Sequence, residues 1–156
     1  MADFFHVAPP GLRVGEIVKP GHWGRKTLAF APRGRRGIEN DGDAIVLLWE
    51  AALEAARLVR FPEAVSRLDC TFACFREEDA RAFRDRFKSA YKIYRIELVD
   101  PDTVVTIGDY AAITDTDPGP YVEVAARKAA TYWSAVQPRF PEALIGGDVR
   151  VTSIMG

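Results

Sequence analysis

The chain has 156 residues, 48% hydrophobic and 28% charged, with a formal net charge of −1. That length and balance suit one globular domain with a real core. They exclude a bulk electrostatic pull toward nucleic acid or membrane, although a local basic patch remains compatible with them. No apolar run approaches the ~20 residues a membrane span needs. The opening Met-Ala-Asp-Phe-Phe-His lacks the charged and apolar regions of a secretory leader, so a cytoplasmic protein is expected, or an effector delivered without a cleaved signal. Cys70 and Cys74 do not make a disulfide framework and read as small core hydrophobes.

In chain order, Phe4 to Ala8 is a short apolar strand holding His6, stopped by Pro9-Pro10. A turn, a short apolar stretch and a second turn lead to Gly21. Residues 22–36 read as a loop containing Trp23, with a basic cluster at Arg33, Arg35 and Arg36. A helix is expected from about Asp43 to Arg60, with Ile45, Leu48, Trp49, Ala52, Leu53 and Ala56 inward and Glu50, Glu54 and Arg57 outward. Pro62 ends it. Residues 70–75 form a strand, and Glu77-Glu78-Asp79 opens a second helix burying Ala80, Phe83 and Phe87. Strands follow at 91–98 and 103–107. A turn-rich loop runs from Thr114 to Pro120. A third helix covers Tyr121 to Ser134, with Val124, Ala125, Ala129 and Trp133 facing the core. The end of the chain reads as a hairpin, two strands joined at Gly146-Gly147. The whole is an α+β domain over residues 1–156 with about three helices.

Glu142 stands out in that last stretch, directly after Pro141 and ahead of Ala143-Leu144-Ile145. A carboxylate there is either a solvated strand end or a positioned group. His6 and His22 are the only histidines and have no metal-ligand spacing, so no metal is expected. Neither a phosphate-binding P-loop nor a dinucleotide fingerprint is present.

Element order and a dozen residues resemble the ADP-ribosyltransferase fold in its histidine–tyrosine–glutamate class, which includes diphtheria-like toxins and poly(ADP-ribose) polymerases. Phe5-His6-Val7-Ala8 matches that class's first strand. Thr71-Phe72-Ala73, then Ala80 and Phe83, match its middle pattern, and Glu142-Ala143-Leu144-Ile145 through Ile154 matches its last strands. Val7 and Ala8 replace the family's Gly and Thr, and its stacking tyrosine is missing. Phe140, two before the glutamate, argues against the arginine-modifying subclass.

The resemblance implies a split β-sheet core and a transferase moving ADP-ribose from NAD to a nucleic acid or protein, as small bacterial toxins and effectors do. Glu142 would be catalytic. His6, Val7, Phe72 and Phe83 would contact NAD, with Phe83 stacking on nicotinamide and Tyr91 or Tyr94 as alternatives. Arg67, preferred over Arg13 and Arg25, would pair the pyrophosphate, and Gln137 and Arg139 would meet the acceptor. A neutralising antitoxin or immunity partner fits the toxin reading. NAD hydrolysis and an inactive NAD-fold binding module are the alternatives. An RNA 2′-phosphotransferase is disfavoured, because it needs a second active-site histidine and paired arginines.

Overall fold

The computed structural model describes residues 2–29, 41–114 and 118–156. Among them the chain is α+β, with seven antiparallel strands in one sheet and five helices around it. The strands are β1 (Phe4–Ala8), β2 (Ile17–Val18), β3 (Thr71–Cys74), β4 (Lys92–Leu98), β5 (Val105–Asp109), β6 (Pro141–Ile145) and β7 (Val149–Met155). The helices are α1 (His22–Leu28), α2 (Asp41–Arg60), α3 (Glu77–Phe87), α4 (Ala111–Thr114) and α5 (Tyr121–Ser134), with a 3₁₀ turn at Arg67–Asp69.

Two helices exceed the three expected. One is α1, within the stretch expected to be loop; its first turn carries no acid and its cap position is Gly21 with φ +93°. Packing makes it helical: a Cβ on Gly24 would lie 1.7 Å from the Leu68 carbonyl oxygen, so only glycine lets α1 sit against the 3₁₀ turn. The other is α4, a single turn after β5 whose entry is fixed by the buried Asp109 carboxylate, which accepts from the Ala111 and Phe140 amides. The basic cluster Arg33, Arg35 and Arg36 lies outside the described residues.

The sheet order is β2-β7-β4-β1-β3-β6-β5, which overturns the expected terminal hairpin. β6 pairs with β3 and β5, whereas β7 pairs with β4 and β2. Three strands separate β6 from β7. In a flat sheet their axes would stand roughly 19 Å apart at about 4.8 Å per spacing. The chain from Ile145 to Val149 can span only about 14 Å. The sheet must therefore fold over, and Ile145 and Val149 meet in one core with Phe4, Ala73, Tyr94, Ile96 and Val151. The bend falls between β1 and β3, which share one paired position, Phe5 with Cys74. The chain thus forms two half-sheets hinged at a narrow seam.

Helices cover the other face. Leu53 of α2, with Ala129, Tyr132 and Trp133 of α5, packs on Cys70 and Leu144. Ala80 of α3 packs on Phe5, Cys74 and Ile93. Two inward assignments change: Ile45 and Phe87 are each about two-fifths exposed, at 38% and 41%.

Candidate functional site

Glu142 is not a solvated strand end; it is 8% exposed. Register explains its position. Phe5, Cys74, Glu142 and Gly108 form one lateral row across β1, β3, β6 and β5, so Glu142 points to the helix-covered face. There its Oε1 accepts from the Arg67 guanidinium and from the Tyr132 hydroxyl. The Tyr132 hydroxyl in turn accepts from Arg67 Nη1 at 2.7 Å. Arg67 reaches past them to a second carboxylate, with Nε 3.2 Å from both oxygens of Glu50. Trp23 Nε1 of α1 donates to Glu50 Oε1 at 3.0 Å.

The cation is stacked as well as paired. The Arg67 guanidinium carbon lies 4.7 Å from the Phe72 ring centroid and 5.0 Å from that of Tyr132. Arg67 is thereby held by aromatic contacts as well as along its donor edge. This changes the role expected for it: a guanidinium bound to two carboxylates and a phenol positions a carboxylate, where pairing with a pyrophosphate was expected. Phe72 likewise faces Arg67.

Glu142 offers its two oxygens differently. Oε1 takes both hydrogen bonds, and Oε2 takes none among the described residues. Among the described residues the buried side-chain atoms without a partner are Thr27 Oγ1 and Arg95 Nε, and the Glu142 side chain keeps 10% of its surface exposed. One oxygen is pinned and the other has no partner among the described residues.

Charge follows from the geometry. Burial opposes ionisation of Arg67, but Tyr132, Glu142 and Glu50 outweigh it and hold the guanidinium protonated. Burial pushes the Glu142 carboxyl above its ordinary value of 4.5, Arg67 and Tyr132 pull it back, and Glu50 pushes it up again. Both partners of one ion pair are thus raised, the carboxyl chiefly by burial and the guanidinium by the acidic groups around it. Burial also pushes up the thiols of Cys70 and Cys74, the latter to about 12, and the Tyr110 hydroxyl.

Gly108 makes this arrangement possible. It stands opposite Glu142 in the β5–β6 ladder, and a Cβ there would lie 2.2 Å from Tyr132 Cζ. The Tyr132 ring passes over the bare glycine to reach the carboxylate.

His6 lies at the seam. Its position in β1 alternates with Phe5, so it does not share the face of Glu142. Its Nδ1 donates to the Phe72 carbonyl at 2.6 Å, bridging β1 and β3 where their ladder has opened. That bond fixes the neutral tautomer with Nε2 as the acceptor. Burial lowers its proton affinity, and nearby His22 lowers it further. Val7 is half-buried against the core of Phe5 and Cys74.

Phe83 belongs to an aromatic group with Phe87, Tyr110 and Phe140, its centroid 5.5 Å from Tyr110. Tyr110 follows β5, and its amide donates to the Phe140 carbonyl just before β6, so the group adjoins the end of the strand pair that carries Glu142. The alternatives for that aromatic fall elsewhere: Tyr94 is in the opposite core and bonded to the Pro9 carbonyl, and Tyr91 lies beside Lys88. Gln137 and Arg139 are exposed in the link from α5 to β6, with Gln137 at φ +50° and Arg139 donating to the Ala111 carbonyl. A surface depression of about 550 Å³ is lined by Gly11, Arg13, Val14 and Glu16. It is wide open and holds none of the groups around Glu142, so the carboxylate cluster is the better site.

Glu50, Tyr110 and Tyr132 were missed from the sequence. Spacing held a signal for two of them. Glu50 is three residues before the core Leu53, and Tyr132 continues the stripe of Ala125 and Ala129.

Fold and site together define an α+β protein with a bent antiparallel sheet and a carboxylate cluster at its seam. Residues 22–156 match the model of a family described as protein of unknown function, DUF2441, and the chain belongs to that family. The matched stretch includes Glu50, Arg67, Tyr132 and Glu142 and begins after His6. No curated protein matches the chain.

Proposed function

We propose that this chain is an NAD-dependent ADP-ribosyltransferase in which Glu142 is the catalytic carboxylate. The observation carrying the proposal is the unequal treatment of its two oxygens: Oε1 pinned by Arg67 and Tyr132, Oε2 with no partner among the described residues. The position of Glu142, two strands from the one bearing His6 and in a strand pair that an aromatic group adjoins, also supports the reading.

In the reaction the bond from ribose C1′ to the nicotinamide nitrogen breaks, and its electron pair leaves with nicotinamide. Positive charge builds on C1′ and the ring oxygen, as in glycosidic transition states. A fixed carboxylate oxygen facing that carbon opposes the charge in a water-poor setting. An acceptor oxygen or nitrogen then forms the new bond to C1′ and gives up its proton. His6 Nε2, at the seam and off the face of Glu142, suits a hydroxyl of the adenine-side ribose as hydrogen-bond acceptor, and Phe83 with Tyr110 offers an aromatic wall for nicotinamide. The acceptor is a macromolecule, nucleic acid or protein, and the protein acts in the cytoplasm of the cell that makes it or receives it.

Glu142→Gln tests the proposal. It keeps shape and removes charge, so NAD turnover should fall by about 10²–10³-fold, equivalent to about 2.7–4 kcal/mol, while NAD still binds. Near-normal turnover would remove Glu142 from the mechanism. Rapid nicotinamide release by the wild type without any acceptor would mark hydrolysis, and NAD binding without turnover would mark an inactive module.

A further inference from the structure

We propose that Glu50 is a positioning residue for Glu142: by holding the Nε edge of Arg67 it fixes the guanidinium that pins Oε1 and divides that cation between two carboxylates. The inference rests on the catalytic reading of Glu142 for its rate consequence, but not for its geometry.

The geometry starts on α2. Glu50 lies on the helix flank expected to face solvent, yet it is 5% exposed. It meets Arg67 through Nε, with both oxygens at 3.2 Å, and its Oε1 is also 3.2 Å from Nη2. Glu142 meets the same guanidinium at Nη1. The two carboxylates thus take different edges of one cation, which also lies against the Phe72 and Tyr132 rings. A cation engaged on one side has less field to offer on the other. If Arg67 served Glu142 alone, the pair would be close to neutral and would oppose a developing cation weakly. The second carboxylate makes the cluster net anionic, a costly arrangement for burial that stability alone does not call for.

The chain of bonds continues outward. Trp23 of α1 donates to Glu50 Oε1, so α1 modulates how strongly Glu50 holds Arg67. Removing that donor should strengthen the claim of Glu50, and removing the Glu50 charge should abolish it. The two changes therefore move Glu142 in opposite directions, which a merely structural role would not do.

The test uses the full chain labelled with ¹³C at glutamate carboxyls, whose titration is followed by NMR. The Glu142 signal is identified by its loss in Glu142→Gln. The ionisable groups around Glu142 are Arg67, Tyr132, Glu50, Tyr110, Cys70 and Cys74, and of these only Glu50 is a second carboxylate. Glu50→Gln should lower the Glu142 midpoint, Trp23→Phe should raise it, and Glu50→Asp should restore wild-type behaviour. Nicotinamide release should fall about tenfold in kcat for Glu50→Gln with little change in KM for NAD, in line with couplings inside one hydrogen-bond network. An unmoved or raised midpoint in Glu50→Gln overturns the proposal. Should that variant not fold, an unmoved or lowered midpoint in Trp23→Phe overturns it. A wild type that releases no nicotinamide defeats the transferase reading, and the titrations then decide the role of Glu50 by themselves.

Discussion

Gly108→Ala tests whether the tyrosine and the carboxylate are held together as described. The added Cβ would lie 2.2 Å from Tyr132 Cζ, 2.3 Å from its hydroxyl oxygen and 2.7 Å from Cε2. Ordinary carbon contacts are about 3.5–4.0 Å, so the ring must retreat by more than an ångström. Tyr132 has no exposed surface through which to retreat, and its ring is set edge-on to Trp133 at 4.9 Å. Either the core is overpacked, at about 1–3 kcal/mol, or the hydroxyl withdraws from Arg67 and Glu142, at about 1.5–3 kcal/mol. The two costs partly replace each other, so the net loss should be about 3 kcal/mol. Gly108 is not among the positive-φ residues, so backbone strain adds nothing. The entropic gain of Gly→Ala offsets only about 0.4–1 kcal/mol. In a chain of this size the melting temperature should drop by roughly 6–12 °C. Urea unfolding followed by tryptophan fluorescence measures the loss, and nicotinamide release measures the site. In a Tyr132→Leu background, where no ring meets the new methyl, the cost should nearly vanish. A Gly108→Ala protein within about 0.5 kcal/mol of wild type, or an unchanged cost in the Leu background, would refute the contact and with it the pinning of Oε1.

Acid should act on the protein partly through His6. Its folded-state proton affinity is lowered by burial, so below the ordinary value of 6.5 the unfolded chain takes up a proton that the folded chain resists. Stability should therefore fall with decreasing pH from that point, by at most about 1.4 kcal/mol per unit, and His6→Asn should lack the slope in urea titrations from pH 7 to 5. The same substitution should weaken NAD binding, measured by calorimetry; unchanged affinity in a folded variant would separate His6 from the nucleotide. Glu142 acts through turnover. Its carboxyl is raised in the folded state, so turnover should fade at a pH above 4.5 as the solution is acidified, where a free carboxylate would still be ionised. Cys74, with its thiol pushed up to about 12, and Cys70, buried in the other helix-side cluster, should resist a thiol reagent at pH 8 and react only on unfolding; labelling of the native protein would contradict their burial.

Local pattern determined much of the framework. The apolar stripe of residues 121–134 and the acids at 77–79 mark α5 and α3 at their observed bounds, because a helix that buries one face announces it at a 3.6-residue period. β3, β4 and β6 fall within a residue or two of their expected bounds, whereas the place of Glu142 behind Pro141 fits a solvated strand end as well as a positioned group, and only the resemblance singles it out. What a sequence does not carry is which distant strands become neighbours. The Gly146-Gly147 turn has the composition of a hairpin, yet it joins the two half-sheets, because burying Ile145 and Val149 in one core outweighs pairing β6 with β7. The surroundings of Glu142 are of that kind too. Glu50 reads as a solvent-facing acid, since no local rule predicts a buried carboxylate, and only the arrival of Arg67 from another element makes burial affordable. Arg67 reads as a phosphate ligand until Glu50, Tyr132 and Glu142 close around it, and Gly108 looks like a strand end until Tyr132 is seen lying across it. The periods of the chain decided its helices and strands; the pairing of charges across elements, set only when the sheet bends, decided the site.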